Sequence, residues 1–138
     1  MRRLLLMGLL SLAWAVNALD APDDPPNPYT EADLLPIRSP SLRPGPVEPR
    51  AVSLPGITAL FLIGDDPRSD AWLQQRLPDL RRLGAAGLVV NVESAAALQT
   101  LRERASGLTL SPVDGDDLAQ RLGLNHYPLL ITATAIEQ

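Results

Sequence analysis

From residue 57 onward, short unbroken apolar runs alternate with helical stripes. Leu60-Phe61-Leu62-Ile63 is continuously apolar, as expected of a strand covered on both faces. Gly64-Asp65-Asp66-Pro67 ends the run. Asp66 as N-cap with Pro67 at the first helical position predicts a helix start. Trp72, Leu73, Leu77, Leu80 and Leu83 then share one helical stripe, and Pro78 within it predicts a kink or break near Arg76-Leu77. Gly84 and Gly87 close the helix. A second strand is predicted over 87–92 (GLVVNV). Ser94 caps a helix over 95–105 whose Ala96, Ala97, Leu98, Leu101 and Ala105 form a narrow face, and Ser106-Gly107 ends it. A third strand follows over 108–113. Asp116 can cap a short helix carrying Leu118, Ala119 and Leu122, with Gly123 as its left-handed stop. After Tyr127-Pro128, Leu129-Leu130-Ile131 is a fourth strand. The order β-α-β-α-β-α-β predicts an α/β, three-layer domain with a mainly parallel sheet.

The first half of the chain reads differently. Residues 19–56 hold ten of the fourteen prolines, and proline fixes φ and removes a donor, so a long helix or central strand is excluded there. The stretch should be extended, with one helical turn over 30–35 where Thr30 and Asp33 have capping-box spacing. Between Pro36 and Pro55, Ile37, Leu42, Val47, Val52 and Leu54 recur regularly. Such spacing suits a segment lying along a surface. Before it, Arg2-Arg3, an apolar run over 4–16 and Val16-Asn17-Ala18 form the pattern of a secretory signal peptide. The apolar run falls short of the roughly 20 residues a membrane span needs; an uncleaved anchor is the alternative. The chain therefore divides into a signal peptide (1–18), a Pro-rich extended segment (19–56) and an α/β domain (57–138).

Composition removes several chemistries. Without cysteine, the chain can form no disulfide, perform no thiol chemistry and carry no lipid on a cysteine. Every basic residue is arginine, and loss of Arg2 and Arg3 would take the formal charge from −4 to −6. A negative, lysine-free chain is poorly suited to phosphate neutralisation, so no nucleic-acid partner is expected. Asp65, Asp66, Glu93, Asp114, Asp116 and Asp117 all follow predicted strands. That edge is where α/β folds bind ligands, and a Mg²⁺-dependent hydrolase or phosphohydrolase is the enzyme reading. The simpler reading is helix capping, because no lysine and no phosphate-cradling Gly-rich loop accompanies the acids. His126 is the only histidine, which excludes His-pair metal motifs. Ser69 and Ser94 sit at helix starts and not in a nucleophile elbow. No catalytic residue, metal or cofactor is expected.

The segments PIRSPSLRPGPVEPRA, FLIGDDPRSDAWL, GLVVNVESAAALQTLR and SPVDGDDLAQRLGLNHYPLLITATAIEQ resemble a family of unknown function encoded by bacterial integrating conjugative elements. The element order and the Tyr127-Pro128 region also resemble the exported, thioredoxin-like pilus-assembly proteins of F-type conjugation systems. The resemblance implies a thioredoxin-like fold with a cis Tyr127–Pro128 bond. It places the redox cysteine pair of that fold at Asp70-Ala71-Trp72-Leu73, where this chain has none. What remains is a partner-binding edge of Asp66, Asp70, Trp72, His126, Tyr127 and Pro128. It would be a groove between the start of the first helix and the strand opened by Pro128, into which an extended segment could add as a strand. The implied setting is a non-enzymatic periplasmic module among the proteins of a conjugative (type IV secretion-like) transfer apparatus, with no stable membrane span after signal cleavage. A purely structural subunit is the remaining alternative. The export expectation has a direct check: N-terminal sequencing of periplasmic protein should begin at Leu19 or within a residue or two, and cytoplasmic recovery with Met1 or Arg2 intact would refute it.

Overall fold

The computed structural model describes residues 30–138; the expected signal peptide and the first part of the Pro-rich segment lie outside the described residues. The strand order within the main sheet follows from which runs can be covered on both faces. Leu60–Gly64 (β3) is central, with Phe61, Leu62, Ile63 and Gly64 all buried. Ala86–Asn91 (β4) pairs parallel with it, and Leu110–Pro112 (β5) pairs parallel with β4. On the other side Leu129–Ile131 (β7) runs antiparallel to β3. It continues into Ala135–Glu137 (β8), which pairs antiparallel with β7, and Arg50–Ala51 (β2) pairs antiparallel with β8. The sheet order is β2-β8-β7-β3-β4-β5. Parallel pairing is thus confined to one half, which corrects the expected mainly parallel sheet. The polar break Thr132-Ala133-Thr134 turns the chain straight back, leaving no length for a helical crossover. Sequence reading stopped at β7 and missed the hairpin to β8.

Alternate side chains of these strands point to opposite faces, and each face carries its own cover. Phe61, Ile63, Val89, Leu110 and Leu130 meet Trp72, Leu73 and Leu80 of Pro67–Leu83 (α1) and Leu98 and Leu101 of Ala95–Arg104 (α2). On the opposite face Leu62, Val90, Leu129, Ile131 and Ile136 meet Ala119 of Asp116–Leu122 (α3), together with Leu42 and Tyr127. The domain is mixed α/β.

Helix starts follow the predicted chemistry in two cases of three. The Asp66 carboxylate accepts from Ser69 N at 2.9 Å, and the Ser94 hydroxyl accepts from Ala97 N at 3.1 Å. At α3 the N-cap is Gly115, with no side-chain cap bond. Asp116 is drawn away: it accepts from the backbone N–H of Ser41 at 3.0 Å and from the Ser41 hydroxyl. Helix α1 runs uninterrupted through Pro78, so of the expected kink or break the break does not occur. Pro78 and Gln74, whose carbonyl loses its helical donor, both lie on the exposed face, so water can satisfy the freed group. The apolar stripe turns away before Leu83, which is 42% exposed.

The compact unit begins at Glu31, not at residue 57. A 3-10 turn, Glu31–Leu34, opens it, and the Arg102 guanidinium, hydrogen-bonded to Glu31, holds that carboxyl below its ordinary range. Beyond the turn the Pro-rich segment is a strap laid against the domain. Its N–H groups bond inward at Ile37 to Val92 O, Arg43 to Asn125 O, Gly45 to Tyr127 O, Val52 to Thr134 O and Leu54 to Ala133 O. Arg43–Pro44 (β1) thereby pairs parallel with His126–Tyr127 (β6) as a separate two-stranded ladder. Ser39 and Leu42 are 1% and 3% exposed. The Ser39 hydroxyl donates to Val90 O at 2.6 Å and accepts from Gly115 N at 2.7 Å. Ser39→Ala should cost about 1–3 kcal/mol in denaturant unfolding, because a buried donor and a buried acceptor lose their partner. A loss below about 0.5 kcal/mol, the range of plain surface changes, would show that the strap is not anchored there.

Candidate functional site

The carboxyl-end acids of the sheet are each engaged in structural bonds. Asp65 accepts from Glu93 N at 2.9 Å, Glu93 pairs with Arg38 at 3.1 Å, and Asp114 accepts from Asp116 N at 2.9 Å. Asp117 pairs with Arg121 one turn on. Asp66 holds Ser69 through both carboxylate oxygens, and the Ser69 hydroxyl accepts from Gly64 N at 3.0 Å. Among the described residues, no group of three or more His, Asp or Glu side chains could hold a metal ion.

The predicted edge residues separate onto different surfaces. Trp72 and Pro128 line one groove of about 370 Å³ with Arg68, Arg76 and Gln138, between α1 and the start of β7. Trp72 is 7% exposed, and its indole N–H is buried without a hydrogen-bond partner. The Arg76 guanidinium lies 6.0 Å from the Trp72 ring centroid and donates to Gln138 O at 3.0 Å. Asp70 faces the other flank of α1, paired with Arg104 beside a groove of about 660 Å³ shared with Ala71, Gln74 and Leu77. His126 belongs to neither. It lines a cavity of about 230 Å³ with Glu48, Arg50 and Asn125 under the strap, and its ring packs so closely on Gly45 that a Cβ there would collide with it.

Tyr127 is buried, and the Tyr127–Pro128 bond is cis, as the resemblance implied; Leu35–Pro36 is cis as well. The main chain at this edge is not open to an added strand. Tyr127 O accepts from Gly45 N at 3.0 Å, and Pro128 O accepts from the Gln138 side chain at 2.9 Å. The strap already occupies the position expected for a bound segment.

Two residues that sequence reading passed over organise this end of the sheet. Asn91 accepts from Ser39 N at 2.7 Å and donates to Leu42 O at 3.3 Å and to the Tyr127 hydroxyl oxygen at 3.1 Å. Gly64 lets the Tyr127 ring approach, since a Cβ there would lie 2.8 Å from its Cε1 and hydroxyl oxygen. Only the polar interruption of an otherwise apolar strand at Asn91 could have signalled this role.

Burial pushes the Tyr127 phenol above its ordinary value; the Asn91 bond opposes the rise, and the charges of Asp66 and Asp65 add to it. The folded state therefore holds that proton more tightly than the unfolded chain. Its contribution to stability is complete below about pH 10, the unfolded value, and is lost as pH rises through the raised folded value. No lysine titrates in this window. Unfolding midpoints followed from about pH 8 to about pH 12 should fall at the alkaline end, and Tyr127→Phe should flatten the decline. Parallel profiles for the two proteins would rule the linkage out.

Among the described residues, no helix is long and apolar enough to cross a membrane. No curated protein and no solved structure matches the chain. A family model does, across residues 13–136, a span that takes in the strap and nearly all of the sheet. The chain belongs to the family described as protein of unknown function (DUF2859).

Proposed function

We propose that this chain is a non-enzymatic binding module of thioredoxin-like topology. It is exported to the periplasm, where it helps assemble the conjugative transfer apparatus of an integrating conjugative element. The topological reading is supported by a parallel β3-α1-β4 unit followed, after Pro128, by the antiparallel hairpin β7–β8 on the other side of β3. The biological setting rests on the sequence resemblance, and export rests on the leader pattern.

The observation that carries the binding role is the groove beside Trp72. The Trp72 ring and the exposed Arg68 line it together, beside Pro128 and Gln138. A partner segment that lays an apolar side chain against Trp72 and brings a carboxylate towards Arg68 fits that lining. The acids at the sheet edge offer no comparable opening, because their oxygens already hold backbone and side-chain donors.

Deleting the gene from its element should lower conjugation frequency, and unchanged transfer would sink the assembly role. Complementation with Arg68→Glu should restore transfer about tenfold less well than wild type, the scale of a binding hot spot, with an unaltered thermal midpoint. Trp72→Phe shrinks the aromatic wall and should weaken complementation too; because Trp72 also packs on Phe61 in the core, it should lower the thermal midpoint as well, which Arg68→Glu does not. If both variants complement fully, the groove is not the docking site.

A further inference from the structure

The two edges of the main sheet differ in what they offer. At β5, Thr109 O and Val113 N bond to β4, so Leu110 and Pro112 turn their main-chain groups outward. Leu110 O already accepts from the Arg102 guanidinium at 2.8 Å, and Pro112 has no N–H. That edge is closed to another strand. At β2, Val52 N and Leu54 N reach inward to Thr134 O and Ala133 O at 3.0 and 2.9 Å. Pro49, Ala51, Ser53 and Pro55 therefore form the outward row, and all are exposed. Ala51 and Ser53 carry the N–H groups of that row, a proline bounds it on each side, and the row is symmetric about Val52.

We infer that β2 pairs antiparallel with β2 of a second copy of this chain, about a two-fold axis at Val52, so that two sheets join into one. In this register Ala51 of one copy faces Ser53 of the other, and each of their N–H groups meets the opposite carbonyl. Pro49 and Pro55 bound the pairing at its two ends, and neither brings an N–H that would be buried without an acceptor. On the side-chain level Val52 meets its own counterpart and Arg50 lies across from Leu54, after which the turn closed by Ile57 N and Leu54 O takes the chain away. No like charges are directly opposed. Val52 and Leu54 are partly buried and pack against the cluster of Leu62, Leu129, Ile131 and Ile136, so the pairing extends that apolar layer across the joint. Because β5 is closed, head-to-tail growth from β2 to β5 has no second surface. The contact is isologous and stops at two copies. It rests on the β2 edge alone and is independent of the Trp72 groove.

Sedimentation velocity of the purified protein over a concentration series should show a dimer. Ala51→Pro and Ser53→Pro each remove an outward N–H and leave the β2–β8 ladder intact, a position where an edge strand tolerates proline. Each should raise the dimer dissociation constant about tenfold or more without changing the circular dichroism spectrum. Val52→Cys gives a readout independent of those variants. Directly opposed residues of a non-hydrogen-bonded antiparallel pair sit about 4.5 Å apart at Cα, within disulfide reach. In a chain without other cysteines, mild oxidation should convert this variant to a covalent dimer. A monomer at all concentrations overturns the inference. So does a dimer that neither proline weakens and Val52→Cys does not cross-link.

Discussion

Everything at the functional end of this domain depends on how the Pro-rich strap is tied to β4. The tie is polar and buried. Ser39 lies at 1% exposure with its hydroxyl between Val90 O and Gly115 N, and Asn91 accepts from its backbone. Each of these groups would be costly to bury alone, and together they satisfy one another. The same Asn91 reaches Leu42 O and the Tyr127 hydroxyl. Strap, central sheet and the turn into β7 thus share one amide side chain. With Leu42 fixed in the second apolar cluster, the strap becomes part of the core of that face.

Proline placement determines what such a strap can do. In a ladder every second residue points its N–H at the neighbour, so prolines are harmless only in the other phase. Arg43 and Gly45 donate inward while Pro44 and Pro46 face away; Val52 and Leu54 donate inward while Pro55 faces away. A composition that excludes a central strand therefore still permits two short edge pairings, β1 with β6 and β2 with β8. It also explains why the strap fills the edge beside Tyr127. The domain supplies its own extended segment, and the open surface moves to the Trp72 side of α1.

Much of the scaffold was legible in the sequence because it rests on local rules. The unbroken run at β3, the Asp66-Pro67 and Ser94 helix starts and the left-handed stops at Gly84 and Gly123 are decided within a few residues. What could not be read was decided across the chain. Asp116 has the right type and position for an N-cap, but Ser41, far away in sequence, takes its carboxylate. The turn at Thr132-Ala133-Thr134 lacks the glycine or proline that marks a tight hairpin, and Thr132 closes it by bonding with Ala135 instead. Asp66, Asp70, Trp72, His126, Tyr127 and Pro128 were grouped because they lie near the two ends of one imagined groove. Only Trp72 and Pro128 share it, since α1 presents Asp70 on its other flank and the strap separates His126.

The start of α1 shows how a scaffold of this order is stabilised without thiols. Asp70-Ala71-Trp72-Leu73 spans the first turns of the helix, where the resemblance would place a redox pair. Leu73 is 1% exposed and belongs to the core cluster with Phe61 and Ile63, while Trp72 stacks obliquely on Phe61 at 6.1 Å. Asp70 turns outward to Arg104 and ties α1 to α2. These side chains pack or pair, each with a structural partner. An aromatic of this size brings its N–H into the interior with it, and nothing nearby accepts that proton. Buried indole N–H groups usually find a partner. The same Trp72 lines a groove with the exposed Arg68 and with Pro128. An aromatic wall beside an exposed arginine favours a ligand that carries apolar surface and negative charge together over one that is merely apolar.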